Sequence, residues 1–111
     1  MKIDMKEVGD VSILILKGKL MGGPETISVH EQVKALIDQD RKKVVIDLSH
    51  VAWMNSSGLG TMMGCLTSLK SADGELKLAG VTEKVKSLFM ITKLITIFET
   101  YDTADDAVAA F

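Results

Sequence analysis

An α/β fold is predicted: one domain with a mixed, mostly parallel sheet of about five strands and helices packed against it. Three features of the chain point to it. Short apolar runs alternate with stretches whose apolar residues recur at helical spacing, in the order ββαβαβαβα. One run, Val44-Val45-Ile46, is β-branched without a polar break, as in a parallel strand buried on both faces. At 111 residues the chain has room for one core and not two, so residues 1–111 read as a single domain.

Ile3 to Val8 and Val11 to Leu16 read as two strands turning at Gly9-Asp10, where a two-residue loop with glycine first suits a type II′ hairpin. The second strand is almost wholly apolar and is expected to be central. Gly18 to Gly23 is expected to be a loop, with Pro24 at a first helical position. Ile27, Val29, Val33, Leu36 and Ile37 then share one face of a helix that runs to about Asp40. Lys43 to Leu48 is the next strand.

Between Gly58 and Lys70, Leu59, Met62, Met63, Leu66 and Leu69 form the apolar stripe of a helix, ended by the turn signal Ala72-Asp73-Gly74. Glu75 to Ala79 is a short alternating strand. Thr82 reads as the cap of a helix in which Val81, Val85, Leu88 and Phe89 share a face, and Leu94 to Phe98 reads as the last strand. Thr103-Ala104-Asp105-Asp106 has the form of a capping box and opens a terminal helix through Phe111. The loops at the strand C-termini, 20–24, 52–57 and 80–82, are where such sheets meet ligands and partners. They are expected to lie together, with the serines of the second loop central.

Composition excludes several classes of function. A hydrophobic share of 47% and a charged share of 25% are ordinary for a soluble globular protein. The net charge of −2 is spread, with Arg41-Lys42-Lys43 the only basic run, so there is no clustered face for nucleic acid. The single cysteine, Cys65, allows no intrachain disulfide and fits a reducing compartment. No apolar stretch approaches the roughly 20 residues of a membrane span. Met1-Lys2-Ile3-Asp4 alternates polar and apolar residues, unlike a signal peptide. The cytoplasm is therefore the expected location, without membrane insertion. His30, His50 and Cys65 stand at unrelated spacings and form no metal site. Gly58-x-Gly60-x-x-x-Gly64 has its third glycine displaced from a dinucleotide fingerprint, and no cofactor is predicted.

Asn55, Ser56 and Ser57 fall where the strand gives way to a helix. Residues of this kind cap helices. The same helix end, with free N–H groups and a positive dipole, equally tolerates a phosphate. Gly58, Gly60 and Gly64 each cost about 1 kcal/mol of helix stability relative to alanine, so close backbone approach is expected at them, either to the sheet or to something arriving from outside. As a catalytic nucleophile Ser56 lacks a base placed by spacing and lacks the G-x-S-x-G elbow; no catalytic residue is assigned and no enzyme is predicted. Val51-Ala52-Trp53-Met54 and Met21-Gly22-Gly23 offer apolar surface beside a phosphorylatable hydroxyl, the makings of a charge-controlled interface. For Trp53 and Met54 taken singly, packing into the core is the competing reading.

The run Val45-Ile46-Asp47-Leu48-Ser49-His50-Val51-Ala52-Trp53-Met54-Asn55-Ser56-Ser57-Gly58-Leu59-Gly60 resembles the signature of STAS domains, and among them the bacterial anti-sigma factor antagonists. The likeness extends over the chain, including Val81 to Phe89. It implies a binding module that sequesters an anti-sigma factor/serine kinase while unphosphorylated, and so frees a sigma factor. By the same resemblance the kinase phosphorylates Ser56 and a PP2C-type phosphatase reverses it. The implied partner surface is Met21, Gly22, Gly23, Trp53, Met54, Asn55, Ser56, Ser57 and Gly58. Asn55 stands where the family most often has Asp; it keeps the hydrogen-bonding shape without the charge. The alternative within the family is a STAS subunit docking on the cytoplasmic face of a membrane transport assembly.

Overall fold

The computed structural model describes residues 2–111, the side chain of Ile95 excepted. Met1, where the N-terminal alternation begins, lies outside the described residues. The elements are β1 (Lys2–Val8), β2 (Val11–Leu20), α1 (Gly23–Asp38), β3 (Lys43–Met54), α2 (Ser56–Ser71), β4 (Glu75–Ala79), α3 (Glu83–Ile91), β5 (Glu99–Tyr101) and α4 (Ala104–Ala109). They build one five-stranded sheet whose spatial order is the chain order, β1 to β5. The first pair is antiparallel and the other three are parallel. Gly9 at φ 60° takes the left-handed conformation that the hairpin turn demands of its first central residue.

The sheet divides the core. Leu14, Leu16, Leu20, Val44, Ile46, Leu48, Leu76 and Leu78 face one way, toward Val29, Val33 and Leu36 of α1, Leu59, Met62 and Leu69 of α2, and Val85 and Phe89 of α3. All three helices that connect parallel neighbours thus lie on one face, as crossovers of one hand require when strands are added in one direction. The other face presents Val11, Ile13, Val45 and Ala79 to Ala107 of the short α4. Strands β2 and β3 are buried from both sides, which is why their sequences carry apolar runs rather than alternation.

Two strands extend past the predicted limits. β2 continues to Leu20, through residues expected to be a loop, and β3 continues from Leu48 to Met54. The register explains the difference. Ile15 pairs with Asp47 but Lys17 with His50, and Gly18 pairs with Val51 but Lys19 with Trp53. β3 therefore gains one residue on β2 at each of two bulges. Its inward side chains there are Leu48, Val51 and Met54, three apart, so the period of two that marks a strand is lost.

Three further expectations are corrected. Ile27 is 54% exposed: α1 turns Thr26, Val29, Val33 and Leu36 inward, and Ile27 lies about 100° around the helix from Thr26. Leu94 to Phe98 is not a strand. Leu94–Thr96 is a turn of 3-10 helix entered through Lys93 at φ 62°, and Phe98 stacks on Phe89 in the core with ring centroids 5.6 Å apart. The edge strand is instead Glu99–Tyr101, chosen by what lies next to it. Lys77 of β4 is only 3% exposed; it is paired with Glu99, lies 3.7 Å from Glu75, and its ammonium sits over the rings of Tyr101 and Phe111 at 5.5 and 4.8 Å. Burial alone pushes its pKa down, but the hydrogen bond and charge of Glu99 outweigh that and hold it above its ordinary value. Thr82, third, is no side-chain cap: its hydroxyl donates to the Val51 carbonyl at 3.3 Å, tying α3 to β3. Thr103 does cap, accepting from the Asp106 N–H at 3.1 Å.

Candidate functional site

The long ends of β2 and β3 lie side by side and finish together. Leu20 pairs with Met54, and the Asn55 N–H carries the ladder one step further by donating to the Leu20 carbonyl at 3.1 Å. Asn55 then caps α2. Its Oδ1 accepts from the Gly58 N–H at 3.0 Å, and its Nδ2 donates to the Met21 carbonyl at 2.9 Å. A side chain held between a donor and an acceptor has its amide orientation set by both. Gly22, at φ 94°, is gripped from the other side. Its N–H donates to Thr26 Oγ1 at 3.0 Å, and the Thr26 hydroxyl donates back to the Gly22 carbonyl at 3.1 Å.

Ser56 is the first residue of α2 and Ser57 the second, and both are exposed. A helix start leaves its first N–H groups without helical partners and concentrates positive dipole there, a setting that favours an added anion. Ser57 lies against Gly22, where an added Cβ would come 3.2 Å from its own Cβ. Met21 (49% exposed) and Trp53 (38%) supply apolar surface at this end of the sheet. Ile27 adds a third exposed apolar side chain just beyond Gly23; its offset from the Val29-Val33-Leu36 row was the signal available in the sequence.

Not every predicted contact residue faces outward. Met54 is 0% exposed and belongs to the core, because the second bulge turns Trp53 out and Met54 in. Gly58 is buried as well. A Cβ there would sit 2.3 Å from the Leu20 carbonyl oxygen, so Gly58 serves by letting α2 start against the end of β2. Gly60 makes no such approach to the sheet: nothing lies within 4 Å of its would-be Cβ, which leaves only approach from outside. Gly64 instead faces His30 of α1, whose Cε1 would be 3.0 Å from an added Cβ.

Of the three loops expected together, two meet. The 80–82 segment packs lower, where Gly80 abuts Ser49 and Thr82 bonds Val51. β4 stops pairing at Asp47, so β3 carries Asn55 to Ser57 well past it.

His30 is occupied by a neighbouring hydroxyl, and Cys65 is masked by burial. His30 Nε2 lies 2.7 Å from Ser68 Oγ across the α1–α2 contact, and burial, then Lys34, hold its pKa below the ordinary imidazole value. Burial pushes the Cys65 thiol up to about 12, far from a reactive thiolate. Among the described residues, no helix is long and apolar enough to cross a membrane.

A five-stranded sheet with chain-order strands, three helices on one face, and a serine-bearing helix start at the tip of its longest strand is the architecture of a STAS domain. The model of that domain family matches residues 2–107, and the chain belongs to it. Among its relatives is BtrV of Bordetella bronchiseptica, named as a candidate anti-sigma factor antagonist, 26% identical over 111 residues, which are 100% of this chain and 95% of that protein. The anti-sigma-B factor antagonist of Staphylococcus aureus is 36% identical over 70 residues, 62% of this chain and 65% of its own. The crystal structure of a candidate anti-sigma factor antagonist from Thermotoga maritima superimposes with a TM-score of 0.88 at 28% identity, over 97% of this chain and 92% of that one.

Proposed function

We propose that the protein is an anti-sigma factor antagonist whose binding is controlled by phosphorylation of Ser56. Unphosphorylated, it holds an anti-sigma factor that is also a serine kinase, and the sigma factor goes free. The kinase moves the γ-phosphoryl of ATP to Ser56 Oγ, with the hydroxyl proton passing to the kinase and ADP leaving. A PP2C-type phosphatase hydrolyses the ester. The protein itself acts by binding, not catalysis, and does so in the cytoplasm where kinase and nucleotide meet.

The observation that carries this reading is the exposed hydroxyl of Ser56 at the first position of α2, beside the exposed Met21 and Trp53. A phosphate there sits well on its own chain, since the helix start favours it by about 0.3–1 kcal/mol. A partner packed on the apolar rim would have to strip water from the same charge, which costs several kcal/mol. The switch is thus electrostatic and local.

The test is phosphotransfer from Mg-ATP by the anti-sigma factor/serine kinases of the source genome, each produced separately, with the acceptor located by mass spectrometry. Phosphate on Ser56, its loss in Ser56→Ala, and its retention in Ser57→Ala are the expected results. Phosphate on Ser57 alone, or none from any kinase, would refute the reading. In the latter case, specific binding to the cytoplasmic part of a transporter would establish the docking alternative.

A further inference from the structure

We propose that Asn55 is a positioning residue that holds the Met21 loop against the start of α2, using a hydrogen-bond donor that an aspartate in its place would not have. The inference rests on the function proposed above for the meaning of the Met21 surface, but not for the geometry.

Two bonds divide the labour of the side chain. Capping needs only an acceptor, and Oδ1 supplies it to the Gly58 N–H at 3.0 Å. The second bond, Nδ2 to the Met21 carbonyl at 2.9 Å, is no part of capping, because Met21 lies on the other strand's extension. An aspartate caps as well as an asparagine. Ionised, however, it is acceptor-only, so its second oxygen would face the Met21 carbonyl with no proton between them. The two chemistries therefore agree at Gly58 and oppose each other at Met21.

The consequence falls on a surface residue. Met21 is 49% exposed and belongs to the apolar rim, and the next residue, Gly22, is anchored from behind by Thr26. With Asn55 in front and Thr26 behind, the 21–22 backbone is clamped from both sides. Met21 is then presented in one position beside Ser56 rather than sampled among several, and a pre-ordered contact loses less entropy when a partner arrives.

The experiment compares Asn55→Asp and Asn55→Ser with the wild type, since both replacements cap competently and neither donates to the Met21 carbonyl: the carboxylate has no proton and the serine hydroxyl is too short. In the free protein, amide exchange should quicken about fivefold in both variants at Asn55, whose N–H bonds across this junction to Leu20, and at Gly22, whose N–H bonds Thr26 behind the clamped loop, the weight of one lost hydrogen bond. Exchange at Gly58 should not change, and the melting temperature should stay near wild type in the Asp variant, where the charge meeting the helix dipole offsets the lost bond to Met21. Exchange at Asn55 and Gly22 equal to wild type in both variants would overturn the proposal, since a role in capping alone predicts that result. The second arm measures affinity for the kinase identified by phosphotransfer. A loss of about fivefold in Asn55→Asp that disappears in a Met21→Ala background places the effect in Met21. An equal loss in both backgrounds would show that Asn55 does not act through Met21. Should no kinase bind the wild type, the functional reading fails while the exchange arm still decides the geometry.

Discussion

Gly58→Ala and Gly60→Ala are expected to change stability in opposite directions, although the two positions are two residues apart on one helix. Helix propensity alone predicts a gain of about 1 kcal/mol for each. At Gly60 nothing opposes it, because an added methyl meets nothing within 4 Å. At Gly58 the methyl carbon would lie 2.3 Å from the Leu20 carbonyl oxygen and 2.8 Å from Leu20 Cβ. Carbon and carbonyl oxygen settle at about 3.3 Å, so the start of α2 must back off by about 1 Å. The obstacle is the backbone of β2, which cannot swing aside as a side-chain tip can. Overpacking of this kind costs about 1–3 kcal/mol. The same movement strains the cap from Asn55 to the Gly58 N–H, worth about 1 kcal/mol more. After the propensity gain is subtracted, Gly58→Ala is expected to lose about 2 kcal/mol and Gly60→Ala to gain about 1. For a domain of this size these correspond to shifts of about −8 °C and +4 °C in Tm. Thermal melts and urea titrations of the two variants decide it. A Gly58→Ala protein as stable as the wild type would refute the close approach of α2 to β2 on which the site is built.

Ser56→Ala is expected to bind the kinase without regulation, the phosphorylated protein about a hundredfold more weakly, equivalent to about 2.8 kcal/mol, and Ser56→Asp with part of that loss, since Asp carries less charge, all remaining folded; titration calorimetry beside melting curves checks this. The pKa of His30 is lowered by burial and by Lys34, so the unfolded chain binds its proton more readily than the folded one. The stability this supplies is therefore complete above the unfolded imidazole value of 6.5 and lost as pH falls below it. His30→Gln should flatten that part of a pH series of urea midpoints, and an unchanged slope would remove His30 as its cause. Lys77→Met is expected to stay within about 1 kcal/mol of wild type, filling the slot between Tyr101 and Phe111 without a charge to bury. Glu99→Ala should cost about 1–2 kcal/mol, because it leaves the buried ammonium short of a partner; equilibrium unfolding of both variants tests the order.

What could be read from the chain depended on whether a residue's neighbours in sequence are also its neighbours in space. The Val44-Val45-Ile46 run, the Leu59-Met62-Leu66-Leu69 stripe and the Thr103 cap are local signals, and each marks the element found there. The exposed place of Ser56 followed from the same logic of strand, loop and helix start. The bulges of β3 are not local: they arise from its register with β2, and they decide that Trp53 faces out while Met54 faces in. Leu94 to Phe98 had the composition of a strand, but the edge position went to Glu99–Tyr101. Glu99 there pairs with a lysine 22 residues earlier. Asn55 was legible as a cap. Its second bond, to a carbonyl 34 residues away, was not.

The order of the strands has a bearing on how the molecule is made. Because β1 to β5 stand in space as they do along the chain, a nascent polypeptide never holds a place open for a strand still to come. The hairpin of β1 and β2 can form as soon as it emerges, and each later strand then adds to the growing edge while the helix before it packs on the face. Contacts between successive neighbours keep loop closures short, which favours fast folding. The outer edge of β1, left free throughout, carries Lys2 and Lys6, charges that discourage pairing with another chain. Folding can thus advance across the sheet as a front, from the β1–β2 hairpin to β5 and α4 over Lys77.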